Sequence, residues 1–329
     1  MKEENKTIYY IKGLAILSVI CAHCNVVFDE KNRIANAGSL LLQNIGFIGV
    51  VCFFVISGIL FHYKRGQLVS FFKKRIYSIC IPWIISATCV YLYVHLRKPP
   101  LSLSGWINFV IGNGSYCYYL TVLMLFYLIF ILLPFMRTNI AFIICEILTV
   151  FSTIWFWSIG QLSPYLNILN WIGYFALGMQ LAFYPEITNR IIKYLYQLRW
   201  GIIVIYTIFL GMQIYFRNGG GYWNSTNVIV CWFGALTLIL IVKMIELKEN
   251  CWLFNIAYWS GKESFFIYLW HMPIAGIVAK AMNSTYLMNF VLLRPIIVLT
   301  IMIIIYFILK WLLKKFCLDQ YAFLFGIGH

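Results

Sequence analysis

The sequence predicts an all-α, polytopic membrane protein with about ten transmembrane helices, and three observations support this prediction. Of the 329 residues, 63% are hydrophobic and only 11% are charged, whereas a soluble domain carries roughly 25% charged residues. Apolar runs of about 20 residues, the length that crosses a bilayer as a helix, recur along the whole chain. Lys and Arg concentrate in alternate loops between these runs, as in polytopic membrane proteins. No long polar stretch interrupts the pattern, so we predict a single domain over residues 1–329.

The apolar runs define the spans in chain order. Each run is continuous, whereas the strands of a membrane barrel alternate apolar and polar residues. A helix also satisfies its own backbone hydrogen bonds inside the bilayer. The predicted spans cover about residues 8–28, 40–62, 76–96, 117–135, 139–158, 167–184, 201–217, 226–244, 264–282 and 289–313.

The positive charges predict the orientation. Seventeen Lys and Arg residues fall on the side of the N-terminus and six on the other side. Because cytoplasmic loops carry the excess of Lys and Arg, both termini are predicted to be cytoplasmic, in a plasma membrane or a bacterial inner membrane. The net charge of +15 is explained by this topology, and we predict no binding to nucleic acid.

Two ionisable residues lie in the first apolar run, Lys12 and His23. Eleven helical steps amount to three turns plus about 20°, so both side chains share one face, about 16 Å apart along the axis. Ionisable groups within a span usually face a bundle interior or a wet cavity. A neutral imidazole there can take a proton from a hydroxyl, which makes His23 a candidate general base, with a packing histidine as the alternative. Lys12 could bind an anion, pair with an acid, or extend to the membrane interface.

A basic cluster lies between the second and third spans, in what we predict to be a loop. Five positive charges within twelve residues would suit a polyphosphate ligand. Anchoring to the cytoplasmic side and binding of anionic lipid is the alternative. The cluster consists of Lys64, Arg65, Lys73, Lys74 and Arg75.

Other polar residues within the spans are candidates for substrate contacts or structural support. Ser57 and Gly58 are small enough to let a neighbouring helix approach closely. Glu146 is the only acid deep in a predicted span and could neutralise a buried cation. The ninth span brings together Tyr268, Trp270 and His271, which we interpret as an aromatic–histidine packing site.

The ten cysteines predict no metal site. Cys21 and Cys24 share one helix and have no matching pair elsewhere, so the spacing of a zinc site is missing.

Four motifs in this order resemble the membrane acyltransferase-3 family over nearly the whole chain. The first is a basic residue, ten others and a histidine, here Lys12 and His23. The second is Phe-Phe-x-x-Ser-Gly at residues 53–58, and the third is a basic run ending in proline, FFKKRIYSICIP. The fourth is the closing Ser…Tyr-Leu-Trp-His-x-Pro, from Ser264 to Pro273, and YFALGM at residues 174–179 is similar to another family segment.

The resemblance implies a membrane acyltransferase domain of the stand-alone form, without the esterase-like domain appended in some relatives. It implies an O-acyltransferase that uses acetyl-CoA, with a sugar hydroxyl of a surface polysaccharide or lipid-linked glycan precursor as acceptor. In this reading His23 is the general base, Lys12 positions the anionic donor, and the basic cluster holds the coenzyme phosphates. No metal is implied, and a homo-oligomer is left open.

Two alternatives stay open at this point. Transfer could be direct or could pass through an acylated enzyme. A transporter or flippase of a small polar solute or acylated glycan also fits the intramembrane charges, which are Lys12, His23, Glu146 and Arg294.

Overall fold

The computed structural model describes residues 6–24, 32–63, 66–95, 101–155, 157–216, 227–246, 252–283 and 287–328. Within these ranges the chain is helical and contains no β-strand, which confirms the predicted all-α fold. The α-helices are α1 (Lys6–Ala22), α2 (Arg33–Ile59), α3 (Leu68–Arg75), α4 (Ile81–His95), α5 (Leu103–Ile111), α6 (Tyr118–Leu132), α7 (Asn139–Trp155), α8 (Ile172–Phe183), α9 (Pro185–Gln197), α10 (Arg199–Phe216), α11 (Asn227–Glu246), α12 (Trp252–Lys262), α13 (Ser264–Ala281) and α14 (Arg294–Lys315).

These helices fall into two compact units, each assembled from two separate stretches of chain. Unit 1 comprises Met1–Phe53 and Tyr184–Phe307. Unit 2 comprises Phe54–Phe183 and Ile308–His329. A single domain over residues 1–329 stays a prediction.

Helix α1 is packed tightly within unit 1 because small residues let its neighbours approach. A Cβ atom at Gly13 would collide with the carbonyl oxygen of Ala257 on α12, and one at Gly261 would collide with the carbonyl oxygen of Tyr9. Ile16, one turn further along α1, is completely shielded from solvent. This close contact fixes the position of α1, and His23 directly follows its last residue.

The other side of α1 meets α2 in the same way. A Cβ at Gly49 would collide with the carbonyl oxygen of Ala15, and the Ser18 hydroxyl donates to the carbonyl oxygen of Ile45 over 2.5 Å. A hydroxyl that bonds to a backbone carbonyl is satisfied without water, as the interior of a membrane protein requires. Helix α1 is therefore held from two sides.

Two family motifs meet within unit 2. A Cβ at Gly58, on α2, would collide with the carbonyl oxygen of Phe175, and a Cβ at Gly178, on α8, would collide with that of Val55. The two glycines thus allow mutual backbone approach, as small residues do at helix contacts in membranes. This confirms the packing role predicted for Gly58.

Within the described residues, five helical segments are long and apolar enough to cross a membrane, and a sixth results if two helices bent by 72° are counted together. Three further apolar helices have 12 to 17 residues. At about 1.5 Å per residue, the shortest of them covers roughly 18 Å of a hydrocarbon core about 30 Å thick. The five segments are Arg33–Ile59, Leu68–His95, Asn227–Met244, Ser264–Ala281 and Leu287–Lys315.

The chain is therefore a multi-pass membrane protein, whereas the predicted count of about ten spans and the cytoplasmic termini are not confirmed. The first predicted span, residues 8–28, runs past the described part of the chain at residue 24. Its described portion, α1, has 17 residues.

The predicted loop between the second and third spans needs a correction. Residues 73–75 form the last turn of α3, which continues through the π-helical segment Ile76–Cys80 into α4. The basic run is helical because the helix continues to His95, with Pro82 standing just after the π-helical segment. The stretch Leu68–His95 is long and apolar enough to cross a membrane as one segment. Lys64 and Arg65 lie outside the described residues.

Candidate active site

His23 follows α1 directly in unit 1. Its backbone N–H donates to the carbonyl oxygen of Ile20 over 3.0 Å, a tight final turn that ends the helix. The residue as a whole is half-buried. Lys12 lies within α1, whereas His23 stands one residue beyond its end.

His271 lies in the middle of α13 and is completely shielded from solvent. Its Nδ1 is 2.8 Å from the carbonyl oxygen of Tyr268. Since a carbonyl only accepts hydrogen bonds, Nδ1 carries the hydrogen. In the neutral ring, Nε2 then holds a lone pair and can accept a proton or a hydrogen bond.

The fold brings the two histidine rings together. Their centroids are 5.2 Å apart, with the ring planes inclined at 47°, a separation at which aromatic rings are in contact. The Tyr268 ring lies 6.0 Å from that of His271. We refer to His23 and His271 as the histidine pair, and it joins the first family motif to the last.

Lys12 lies about three helical turns before His23 and has different neighbours. Its side chain is half-buried, and its Nζ is 5.8 Å from the centroid of the Tyr9 ring. The Tyr9 ring in turn contacts that of Tyr258 edge to face, at 5.4 Å. The two residues of the first motif thus have separate surroundings in unit 1. His23 contacts the His271 ring, and the Lys12 ammonium lies over the Tyr9 ring.

Two buried polar residues of unit 1 were not predicted as site residues. Glu263 is 6% exposed and accepts a hydrogen bond from the hydroxyl of Tyr306 over 2.9 Å. Arg294 is completely shielded and donates through Nη2 to the carbonyl oxygen of Met282 over 3.0 Å and to Oδ1 of Asn283 over 3.3 Å. The position of Glu263, directly before the closing motif, was the one available signal for the acid.

The role predicted for Glu146, an acid within an apolar run that could neutralise a buried cation, stays a prediction. Glu146 is only half-buried on α7, although its Oε1 is shielded and has no hydrogen-bond partner among the described residues. Glu263 is more deeply buried, because it sits at the junction of α12 and α13. Hydropathy placed Glu146 within an apolar run, but it could not tell which face of that run is covered.

Ser57 and Tyr119 form a polar contact within unit 2. The Ser57 Oγ and the Tyr119 hydroxyl are 3.1 Å apart, and the Phe54 ring covers the Tyr119 ring at 4.8 Å. Ser57 therefore has a hydroxyl partner in addition to its small size. Trp270, which was predicted alongside His271, is half-buried in unit 1.

The basic run at the end of α3 divides into two kinds of side chain. Lys73 and Lys74 are exposed. Arg75 is half-buried, and its guanidinium lies 4.9 Å from the Phe71 ring centroid and 5.2 Å from that of Tyr127. Aromatic faces stabilise a cation at these distances, so Arg75 is held in place while the two lysines reach into the surroundings.

The helical membrane fold and these motifs define a membrane acyltransferase. A family model described as an acyltransferase domain matches residues 5–314, and the chain belongs to this family, the membrane acyltransferase-3 family. The comparisons with curated proteins and with solved structures found no match.

Proposed function

We propose that this membrane acyltransferase is an O-acetyltransferase. It transfers an acetyl group from acetyl-CoA to a sugar hydroxyl of a cell-surface polysaccharide or a lipid-linked glycan precursor. His23 is the general base of this reaction. The observation that carries the proposal is the contact between His23 and His271 within a protein of an acyltransferase family.

The exposure of the two rings supports different roles for them. His23 is half-buried and can meet a substrate hydroxyl, which a general base must do within hydrogen-bond reach. His271 is completely shielded and therefore acts through His23. Its Nδ1–H donates to the Tyr268 carbonyl, so in the neutral ring the lone pair is on Nε2.

The proposed chemistry balances without a metal or redox partner. His23 takes the proton of the acceptor hydroxyl while the hydroxyl oxygen attacks the thioester carbonyl carbon. The carbon–sulfur bond of acetyl-CoA breaks, and the CoA thiolate leaves and recovers a proton from the imidazolium. An acylated enzyme that forms before transfer would use the same base, and the order of steps is open.

Donor binding is proposed for the cationic residues. Lys73 and Lys74 are exposed, so their ammonium groups are available to coenzyme phosphates. Arg75 is held by aromatic rings, which would keep its guanidinium at a defined place next to them. Lys12 is proposed to position the anionic donor.

The test uses the full chain purified into lipid nanodiscs. The protein is incubated with acetyl-CoA labelled in the acetyl group and with a sugar or lipid-linked glycan acceptor, and CoA release and acceptor labelling are both measured. Labelled acceptor and released CoA in equal amounts support the proposal. A protein that binds or moves the glycan across the bilayer but releases no CoA is a transporter, and the proposal would then be wrong.

A further inference from the structure

Helix α9, Pro185–Gln197, carries a stripe of exposed apolar side chains. At about 100° per residue, the members of this stripe lie within about 60° of one another around the helix. They are exposed by 49 to 63%. The stripe consists of Ile187, Ile191, Tyr194 and Leu198, the last just beyond the helix end.

The remaining surface of α9 has two further faces. On one side of the stripe, Ile192 and Leu195 are half-buried and turn toward the protein. On the opposite side, Glu186, Arg190, Lys193 and Gln197 are exposed, so this face carries two cations and one anion. A helix that meets protein, an apolar medium and water on three successive faces lies at a boundary between oil and water.

The angle between α9 and the next helix supports this location. Helix α10 is apolar, and α9 is bent from it by 72°. Helix α10 alone has 18 residues, about 27 Å at 1.5 Å per residue, which is close to the hydrocarbon thickness. If α10 crosses with the usual tilt of about 20°, a helix bent from it by 72° lies near the membrane plane. Treating α9 as part of the crossing segment would instead place Arg190 and Lys193 in hydrocarbon, where charges are costly.

Aromatic and basic residues at the bend are of the types found at membrane interfaces. Trp200 is 60% exposed, and Trp and Tyr concentrate at the level of the lipid headgroups. The Arg199 guanidinium lies 4.4 Å from the Tyr196 ring centroid and donates to the Tyr196 carbonyl oxygen over 2.8 Å. The Arg199 guanidinium thus contacts Tyr196 at the bend through both its ring and its carbonyl oxygen.

We propose that α9 is an interfacial helix that binds an anionic phospholipid surface. Its apolar stripe enters the upper part of the acyl-chain layer, and Arg190 and Lys193 contact lipid phosphates. The net positive charge of the polar face, two cations against Glu186, favours an anionic lipid surface over a protein partner. The inference does not rest on the proposed acetyl transfer, and its readout is lipid contact and not activity.

The first experiment maps what each face touches in the full chain. The photo-reactive residue p-benzoylphenylalanine replaces Ile191, Leu195 or Lys193 in separate variants, in nanodiscs of phosphatidylcholine and phosphatidylglycerol. After illumination, mass spectrometry should show lipid adducts at 191 and crosslinks within the protein at 195. Few acyl-chain adducts are expected at 193, the matched position on the polar face. Protein crosslinks at 191, or no lipid adduct there, would overturn the proposal.

The second experiment tests the charge of the lipid. In a mixed nanodisc, the ratio of phosphatidylglycerol to phosphatidylcholine adducts at 191 should exceed the bulk ratio by at least about twofold. The double substitution Arg190→Gln with Lys193→Gln should bring this ratio back to the bulk value. The matched control, Lys314→Gln with Lys315→Gln, removes two exposed lysines elsewhere and should leave it unchanged. An equal loss in both double variants, or no loss in either, contradicts anionic lipid binding by α9.

Discussion

The imidazole of His271 contacts that of His23 at a centroid distance of 5.2 Å, although the two residues stand at opposite ends of the family's motif series. His271 is locked by its hydrogen bond to Tyr268 and shielded from solvent. His23 is the more exposed of the two residues. This asymmetry supports the proposal that His23 meets the substrate and that His271 acts through it.

His23→Ala is expected to lower kcat for acetyl transfer by about 10²–10⁴-fold, the usual contribution of a general base. The substitution removes a half-buried side chain beyond the end of α1, so the fold should persist. Acceptor labelling from labelled acetyl-CoA measures kcat, and thermal unfolding reports on integrity. A folded variant with full activity would show that His23 is not the base.

His271→Asn is expected to lower kcat without unfolding the protein, because the Asn amide can donate to the Tyr268 carbonyl as Nδ1–H does. The lone pair of Nε2 beside His23 is lost, so kcat should fall while KM for acetyl-CoA stays unchanged. A purely structural role would instead lower the unfolding temperature and leave kcat per folded molecule unchanged.

The matched control for this substitution is His95→Asn. The His95 Nδ1 lies 3.0 Å from the carbonyl oxygen of Tyr91, a local contact of the same kind within unit 2. This variant should keep both kcat and KM for acetyl-CoA. Equal effects at His95 and His271 would refute a specific role for the histidine pair.

Lys73→Gln combined with Lys74→Gln is expected to raise KM for acetyl-CoA with little change in kcat, because both side chains are exposed and their loss removes ground-state contacts to phosphate. The measurement is a steady-state titration of the donor. Lys314→Gln with Lys315→Gln provides the control for loss of general positive charge. An unchanged KM would mean that Lys73 and Lys74 do not bind the donor and would favour the alternative role in membrane anchoring.

Lys12→Gln is expected to reduce kcat/KM for acetyl-CoA, whereas Lys12→Arg, which keeps a cation over the Tyr9 ring, should retain most of it. Titrations of both variants with acetyl-CoA separate the effect of the positive charge from the effect of side-chain shape. If Gln and Arg behave alike, charge at this position has no part in handling the donor.

Gly58→Ala is expected to destabilise the protein by about 1–3 kcal/mol, the usual cost of inserting a methyl group into a tight contact. The new Cβ would collide with the Phe175 carbonyl oxygen. Gly211→Ala is the matched control, because its Cβ meets nothing within 4 Å and alanine is the better helix former. The unfolding temperature should therefore fall for Gly58→Ala and stay the same or rise for Gly211→Ala. Equal stabilities would mean that α2 and α8 can separate at no cost.

The sequence alone determined the helical class, the membrane environment and the family, because hydropathy and ordered motifs are local properties of the chain. It also singled out both members of the histidine pair, since an ionisable residue in an apolar run stands out by itself. The sequence also predicted the close helix contact at Gly58, because only a small residue allows helices to approach that closely.

The sequence could not determine which faces of each helix are covered by neighbouring helices. The contact between His23 and His271, the deep burial of Glu263, and the division of the basic run at Arg75 all arise from packing between distant segments. Periodicity shows that a residue lies in an apolar run, but burial depends on the neighbouring helix. Only the tertiary structure decides which polar side chains meet and which stay exposed, because that depends on how the helices pack.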